Sequence, residues 1–521
     1  MIRTYNKKNS NHYARWLNTI EKVGNKLPHP ITLFSLFSLG IIVLSAILEK
    51  AGVAATGELI SENGIEETTV SIKSMLNTDG IRYILTSAIR NFTSYAPLGM
   101  TLVAMFGVGV AEQSGLIGAI LKSIVKITPP KFITSMVVFL GVMSNVATDA
   151  GYVILIPLGA LVFRAYGRHP LAGMAAAFSG VSGGFSANLT VGALDALLAG
   201  ISQTAASIID PAYQVAVMGN YFFMVVSTFL ITVLGTFVTD KIVEPRLGDI
   251  DGNFGGEEED DLSYITPEEK RGLRNAGLAA VIYLGAIVIT CIPSTSFFRN
   301  EGGELLGRVS SPLLDSAIIL ISILFLLPGI IYGKTVGTFH GEKEVCSALS
   351  NAMASMGSFL ALSFVASQFI NYFNYTNIGT VVALAGAGLF KRINIGLIPI
   401  IIIFIGFSAI MNLFMGSSSA KWYILAPVFV PMFMILGYSP ELCQLAYRIG
   451  DSCTNVITPM MSYYALILAF AQRYDKKAGI GTLAAMMLPY SIIFLIGWTL
   501  LLIGWLLLGL PIGVGTGIYI S

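Results

Sequence analysis

Charge is what this chain has little of. Lys, Arg, Asp and Glu together make up 12% of 521 residues, while apolar residues make up 54%. A soluble domain carries about twice that charged fraction, so a water-soluble globular fold is excluded and a polytopic membrane protein is expected. The formal net charge of +1 says nothing about nucleic acid, but no basic patch with interleaved aromatics suggests it, and no nucleic-acid partner is expected. The four cysteines (Cys291, Cys346, Cys443, Cys453) show no pair spacing and read as buried free thiols. Four scattered histidines offer no transition-metal site. A Walker-type phosphate loop and a channel-filter signature are both missing, which argues against hydrolytic pumping. No enzyme activity and no cofactor are expected.

What is there is apolar length. A span needs about 20 apolar residues, because a bilayer core is about 30 Å thick and a helix rises 1.5 Å per residue. Uninterrupted candidates are 30–48, 84–112, 213–240, 275–293, 314–333, 346–368 and 484–509. Four further apolar regions are interrupted: 132–165, 169–208, 396–432 and 441–471. Segments 132–165 and 396–432 are too long for one ordinary span and centre on polar stretches, MSNVATDAG (143–151) and GSSSAK (416–421). Each predicts two half-length helices joined by a polar tip, a re-entrant hairpin whose tip must be sheltered by protein or water. A long tilted helix with tolerated serines is the alternative.

The distribution of Lys and Arg supports the hairpins. With the basic segment 1–27 in the cytoplasm, Lys122, Lys126, Lys131, Arg164, Arg168 and the basic residues of loop 241–274 also fall inside. Lys391 and Arg392, just before the second hairpin, fall on the outer side against this pattern. The expected fold is therefore an all-α polytopic membrane protein with nine transmembrane helices plus two re-entrant hairpins. Its N-terminus is cytoplasmic and its C-terminus external. Its parts are the N-terminal segment 1–27, a first helix and external loop over 28–83, a unit over 84–240, the loop 241–274, linking helices over 275–333 and a second unit over 346–509.

The two units resemble each other. An offset of 270 pairs Tyr152 with Trp422, Ile154 with Ile424, Leu155 with Leu425, Pro157 with Pro427 and Pro170 with Pro440. SANLT (186–190) matches CTNVITP (453–459) with a slip of about three. The topology makes this an inverted repeat, the plan of many secondary transporters.

Both broken helices, 169–208 and 441–471, follow a hairpin directly. Glycines in GVSGGFSANLTVGALD (180–195) and Pro459 in RIGDSCTNVITP (448–459) interrupt them. Each tip against its neighbouring break makes an oxygen-rich pocket. Ser144, Asn145, Thr148, Ser186, Asn188 and Thr190 are candidates to line the first; Ser417, Ser418, Ser419, Thr454 and Asn455 the second. Small-residue packing is the competing reading for each serine. Arg448 and Asp451, three apart on one helical face, are either a structural ion pair or an anion-recognising group beside a residue whose proton or ion contact changes. Asp195 and Asp149 compete to share that task. Lys421 either serves the solute or snorkels. Trp422 either walls a bound solute, its N–H on a polar partner, or packs in the core.

SNVATDAGYVILIPL (144–158), SGGFSANLTVGALD (182–195), GSSSAKWYILAPVFVPM (416–432) and YRIGDSCTNVITPM (447–460) together resemble the p-aminobenzoyl-glutamate transporter (AbgT) family within the ion transporter superfamily. The resemblance covers almost the whole chain. It implies a homodimer in the bacterial cytoplasmic membrane, with nine helices and two hairpins per protomer in scaffold and transport parts. It also implies transport roles for Asp195, Ser419, Trp422, Pro440, Arg448, Asp451 and Pro459, which raises Asp195 above Asp149. The substrates it implies are p-aminobenzoyl-glutamate, or p-aminobenzoate and sulphonamide antimetabolites in export, driven by Na+ or H+. A small aromatic anion suits Arg448 and Trp422. The rival readings are a sodium-coupled dicarboxylate or citrate symporter of the same architecture, a passive anion channel, and a non-transporting scaffold.

Overall fold

The structure, a computed structural model, describes residues 30–61, 64–145, 151–248, 265–300, 302–303, 305, 311–393, 396–461 and 463–520. The expected tip residues Thr148 and Asp149, the segment 1–27 and residues 249–264 of the loop 241–274 lie outside these ranges. Among the described residues, eight helices are long and apolar enough to cross a membrane: Ile31–Lys50, Tyr221–Leu247, Pro267–Cys291, Ala317–Val336, Glu342–Tyr375, Leu397–Phe414, Ser418–Ile435 and Ile480–Leu507. The chain is an all-α polytopic membrane protein. One small exception was not anticipated: strands β1 (Ala54–Ser61) and β2 (Gly64–Ser71) pair antiparallel, with Ala54 opposite Ser71. The β-branched run TTV (68–70) suits a strand, and the Thr56 and Thr69 hydroxyls bond across it at 2.8 Å.

Several predicted spans shift for local reasons. The apolar stretch 84–112 divides into α1 (Thr78–Thr93) and α2 (Ala96–Gln113), because Pro97 fits only the first turn of a new helix. Helix α3 (Pro267–Cys291) starts eight residues before the predicted 275, where Thr266 and Glu269 form a reciprocal cap at 3.1 and 2.8 Å. Helix α4 (Tyr221–Val238) continues through a π-helical turn and a short helix to Leu247. Arg168 holds that extension, donating to Asp240 at 2.7 Å, to Thr134 at 2.6 Å and to both oxygens of Glu244.

Outer and inner layers differ in burial. Of the 25 residues of α3, only Gly272 and Ala276 are buried, so apolar side chains such as Val281 and Ile289 face outward. Helix α3 packs on α5 (Ala317–Val336), and α5 on α2. There Gly107 lies so close to the Ser322 carbonyl that a Cβ would stand 1.8 Å from its oxygen. The inner layer holds both interrupted units. The first comprises α6 (Ile133–Ser144), a π-helical turn Gly151–Leu155 leading into α7 (Ile156–Ala165), then α8 (Pro170–Phe178) and α9 (Ala193–Ala206). The second comprises α10 (Leu397–Phe414), α11 (Ser418–Ile435), α12 (Pro440–Asn455) and α13 (Tyr464–Tyr474). Helices α10 and α11 have 18 residues each, about 27 Å at 1.5 Å per residue, which exceeds the half-length expected of them.

Candidate functional site

Helix α12 lies at the centre of the inner layer. Ser439 accepts the Leu442 N–H at 3.3 Å as N-cap, and Pro440 occupies the first turn. All sixteen residues are buried, yet Glu441, Gln444, Arg448, Asp451 and Asn455 recur along one side at helical spacing. Such a stripe survives burial only if each group is bonded. Glu441 accepts the Tyr213 hydroxyl at 2.9 Å and the Ala216 N–H at 3.2 Å. Gln444 accepts from Ser202 at 2.7 Å and donates to Asn220 at 3.1 Å.

The charged groups of α12 choose partners from other helices. Arg448 Nη2 donates to Asp195 Oδ1 at 2.5 Å. Asp195 Oδ2 meanwhile accepts the Gly192 N–H at 2.7 Å and caps α9 just after the first break. Asp451 pairs with Lys421 at 2.5 Å, both side chains wholly buried. The Arg448–Asp451 ion pair allowed by their spacing is not formed, and Lys421 does not snorkel. Its ammonium also donates to Asn412 Oδ1.

The remaining predicted residues gather around this axis to different degrees. Trp422 is fully buried, stacks on Tyr447 with ring centroids 4.5 Å apart, and donates its indole N–H to Ser202 on α9 at 2.9 Å. The Tyr447 hydroxyl donates to the Ser418 carbonyl at 2.5 Å. Ser417 is exposed and caps α11, while Ser418 and Ser419 are half-buried, so the 417–419 turn is the open edge of the site. Pro440 begins α12 and Pro459 lies in the non-helical stretch after it, so the two bound the helix. Between α8 and α9 the chain makes a π-helical turn (Ser179–Gly183) and then runs non-helical to Gly192. There Asn188 Oδ1 accepts weakly from Thr190, at 3.4 and 3.5 Å.

The two units share specific geometry. His169 and Ser439, 270 apart, each cap the helix that a proline begins. A Cβ on Gly180 would stand 2.3 Å from the Val138 oxygen, and one on Gly450, also 270 on, would stand 2.4 Å from the Ile405 oxygen. Asn145 donates to the Gly184 carbonyl at 3.4 Å and Asn412 to the Asp451 carbonyl at 2.6 Å, both across 39 residues. Asn145 and Asn412 are 267 apart, as are Asn188 and Asn455. Asn412 also donates to Thr454 at 2.9 Å and Asn455 at 2.8 Å. It was missed in sequence because it sits inside an apolar run, although the 267 offset points to it. Glu441, Gln444 and Ser202 were missed as well; the first two share the Arg448 and Asp451 stripe.

Residues 15–520 match the family model described as the AbgT putative transporter family. The chain is 36% identical over 496 residues to the p-aminobenzoyl-glutamate transport protein of Escherichia coli (strain K12), covering 95% of each chain. Among solved structures it is similar to the MtrF protein of Neisseria gonorrhoeae, described among antimetabolite efflux pumps, at 45% identity and a TM-score of 0.90, covering 96% of this chain and 100% of that one. It is also similar to the YdaH transporter of Alcanivorax borkumensis, at 44% identity and a TM-score of 0.87, covering 93% of this chain and 100% of that one. A family match over nearly the full length, with relatives at this identity, places the chain in the AbgT transporter family.

Proposed function

We propose that this chain is a cation- or proton-coupled secondary transporter of aromatic carboxylates, p-aminobenzoyl-glutamate or p-aminobenzoate, with sulphonamide export as a further activity. The carrying observation is the Arg448–Asp195 pair, which joins the two broken helices. A guanidinium has five N–H donors, and Arg448 Nε is buried without a partner. A substrate carboxylate can therefore compete with Asp195 for a donor set that is not fully used, and binding shifts the relation between α9 and α12. Trp422 and Tyr447 supply stacked aromatic surface beside it, and the 417–419 turn supplies an accessible edge.

Two re-entrant hairpins in an inverted repeat, within nine crossings, give this site access to either face in turn. The paired caps, glycines and asparagines of the two units support the repeat. For the coupling ion, Asn145 Oδ1 and Ser186 Oγ are buried without partners, and both belong to the expected first pocket. The functional unit is a homodimer in a bacterial cytoplasmic membrane, N-terminus inside. The relatives support the substrate class, one being a p-aminobenzoyl-glutamate transport protein and another described among antimetabolite efflux pumps.

The test is flux of labelled p-aminobenzoyl-glutamate into proteoliposomes under separately imposed Na+ and H+ gradients. Flux should follow one gradient and be competed by p-aminobenzoate. Competition by succinate alone would replace this reading with the dicarboxylate symporter, and flux indifferent to both gradients would replace it with the channel.

A further inference from the structure

Positions 270 apart build the same elbow in both units. Gly167 and Gly437 are both left-handed, at φ 69° and 86°. The N–H of the next residue returns to a phenylalanine carbonyl, Arg168 to Phe163 at 2.8 Å and Tyr438 to Phe433 at 2.9 Å. Each is a glycine-terminated helix end, followed at once by the cap and proline of the next helix. What holds the two elbows differs. Arg168 is fixed by Asp240 and Glu244 in the extension of α4, and such charge-assisted bonds are stronger than neutral ones. Residues 437–439 carry no charge, and the end of the chain holds them instead.

Residues 512–520 form a strap with two halves. The root, 512–516, sits on the start of α4. The Phe223 N–H donates to the Ile512 carbonyl at 3.1 Å, the Val514 N–H to the Met218 carbonyl at 3.1 Å, and the Thr516 hydroxyl to the Gly219 carbonyl at 2.7 Å. Residues 512–514 are all buried, and a Cβ on Gly513 would stand 2.2 Å from the Met218 oxygen. The tip, 517–520, lies along the elbow. Ser439 donates its N–H to the Ile518 carbonyl at 3.0 Å and its hydroxyl to the Gly517 carbonyl at 2.7 Å, while the Ile520 N–H donates to the Gly437 carbonyl at 3.1 Å. Of the tip residues only Ile518 is buried, and Tyr519 is 64% exposed. Gly515, left-handed at φ 71°, stands in the root just before this change. A cavity of about 610 Å³, lined by the strap with Tyr213 and Phe222, leaves the tip room to move.

Letting the tip go would not free α12. Glu441 in its first turn is held separately by Tyr213 and Ala216, and Asn220 donates to the Glu441 carbonyl at 2.8 Å. The element that gains freedom is α11, which runs from the elbow to the 417–419 turn and carries Lys421 and Trp422. We infer that the strap is a hinged latch: its tip releases the elbow so that α11 turns against α12 and opens the 417–419 edge, while its root stays on α4. The inference deepens the transport reading and rests on it for its purpose.

The experiment locks the latch. Tyr438 and Tyr519 pair as antiparallel strand neighbours, with ring centroids 5.8 Å apart. Such neighbours have Cα atoms about 4.5–5.5 Å apart, inside the range of about 4.4–6.8 Å that a disulfide spans. A full-length Tyr438→Cys/Tyr519→Cys protein, with Cys346→Ser removing the exposed native thiol, is reconstituted and assayed for labelled p-aminobenzoyl-glutamate flux. Flux should be lost on oxidation and return with dithiothreitol. Equal flux in the oxidised and reduced protein would overturn the latch. Hydrogen exchange of the wild type in nanodiscs, without substrate, reads the hinge directly. Amides of the tip should exchange faster than those of the root, and a tip as protected as the root would also overturn the proposal. That measurement decides alone should the cysteines not join. A wild type without flux would refute the proposed function, while the contrast between tip and root would still be read.

Discussion

The two broken segments of the inner layer share a plan and differ in charge. The first is glycine-rich and carries one carboxylate, Asp195, at the start of its second helix. The second carries Arg448 and Asp451 on a helix buried at every position, and α11 contributes Lys421. One framework of capped prolines, close glycines and paired asparagines thus brings a single carboxylate to the two buried ion pairs from one unit and three charged groups from the other. Charges are carried where partners from two other helices can reach them, so α12 is polar and yet enclosed at every position.

The sharpest break in this comparison is at Arg448. Arg448→Ala strands the Asp195 carboxylate, and breaking a buried pair costs about 3–5 kcal/mol; flux should be lost and Tm should fall. A paired Arg448→Met/Asp195→Leu protein should regain much of the Tm but none of the flux, which separates folding from transport. Equal flux in either variant and wild type would remove Arg448 from the site.

Next comes the asparagine pair. Asn412→Ala removes both amide N–H donors, shared among the Asp451 carbonyl, Thr454 and Asn455, and the acceptor for Lys421, with an expected loss of about 2–3 kcal/mol, against about 1 kcal/mol for Asn145→Ala. Denaturant or thermal unfolding of the two variants side by side measures the difference, and equal losses would mean the second pocket is no better bonded than the first.

Glycine gives a smaller contrast. Gly450→Ala must push α10 away from α12, at about 1–3 kcal/mol, and Gly180→Ala should do the same in the first unit. Gly277→Ala on the outer helix α3 meets nothing within 4 Å and should stabilise by up to about 1 kcal/mol. Thermal unfolding of all three orders them.

The smallest effect lies in the two caps. His169 Nδ1 accepts the Leu171 N–H, which requires a neutral ring nitrogen. Burial holds its imidazole below the usual histidine range, against the opposing pull of Glu244. A depressed folded-state pKa contributes stability above the unfolded value of about 6.5, and that stability is lost as pH falls through the folded value. Tm should therefore dip slightly on acidification, and His169→Ser, copying the cap at Ser439, should flatten that dip. An unchanged pH profile would mean the His169 cap is not coupled to unfolding.

Much of this was legible in the residues themselves. Low charge and long apolar runs dictated a membrane protein, because a lipid environment has to be met by apolar length and internal hydrogen bonding. Glycine clusters and Pro459 marked the interruptions, since both act on the backbone within a turn. The offset of 270 pairs positions with like local geometry, such as the caps at His169 and Ser439, and TTV at 68–70 went unread because a two-stranded hairpin this short has little signal beyond β-branching. Thr266 was equally visible as a cap, but a search for apolar windows passes over the charged first turns of α3.

Sequence by itself determined the class of protein, the places where helices fail, and the few charged residues that the core would have to accommodate. Only the tertiary structure decided who neutralises them. Arg448 and Asp451 share a helical face, yet each turns to another helix, Arg448 to a carboxylate 253 residues away and Asp451 to the lysine of α11. Helical periodicity is local and follows from the backbone, whereas the partner of a buried charge depends on which helices meet and which nearby group can offset its loss of water.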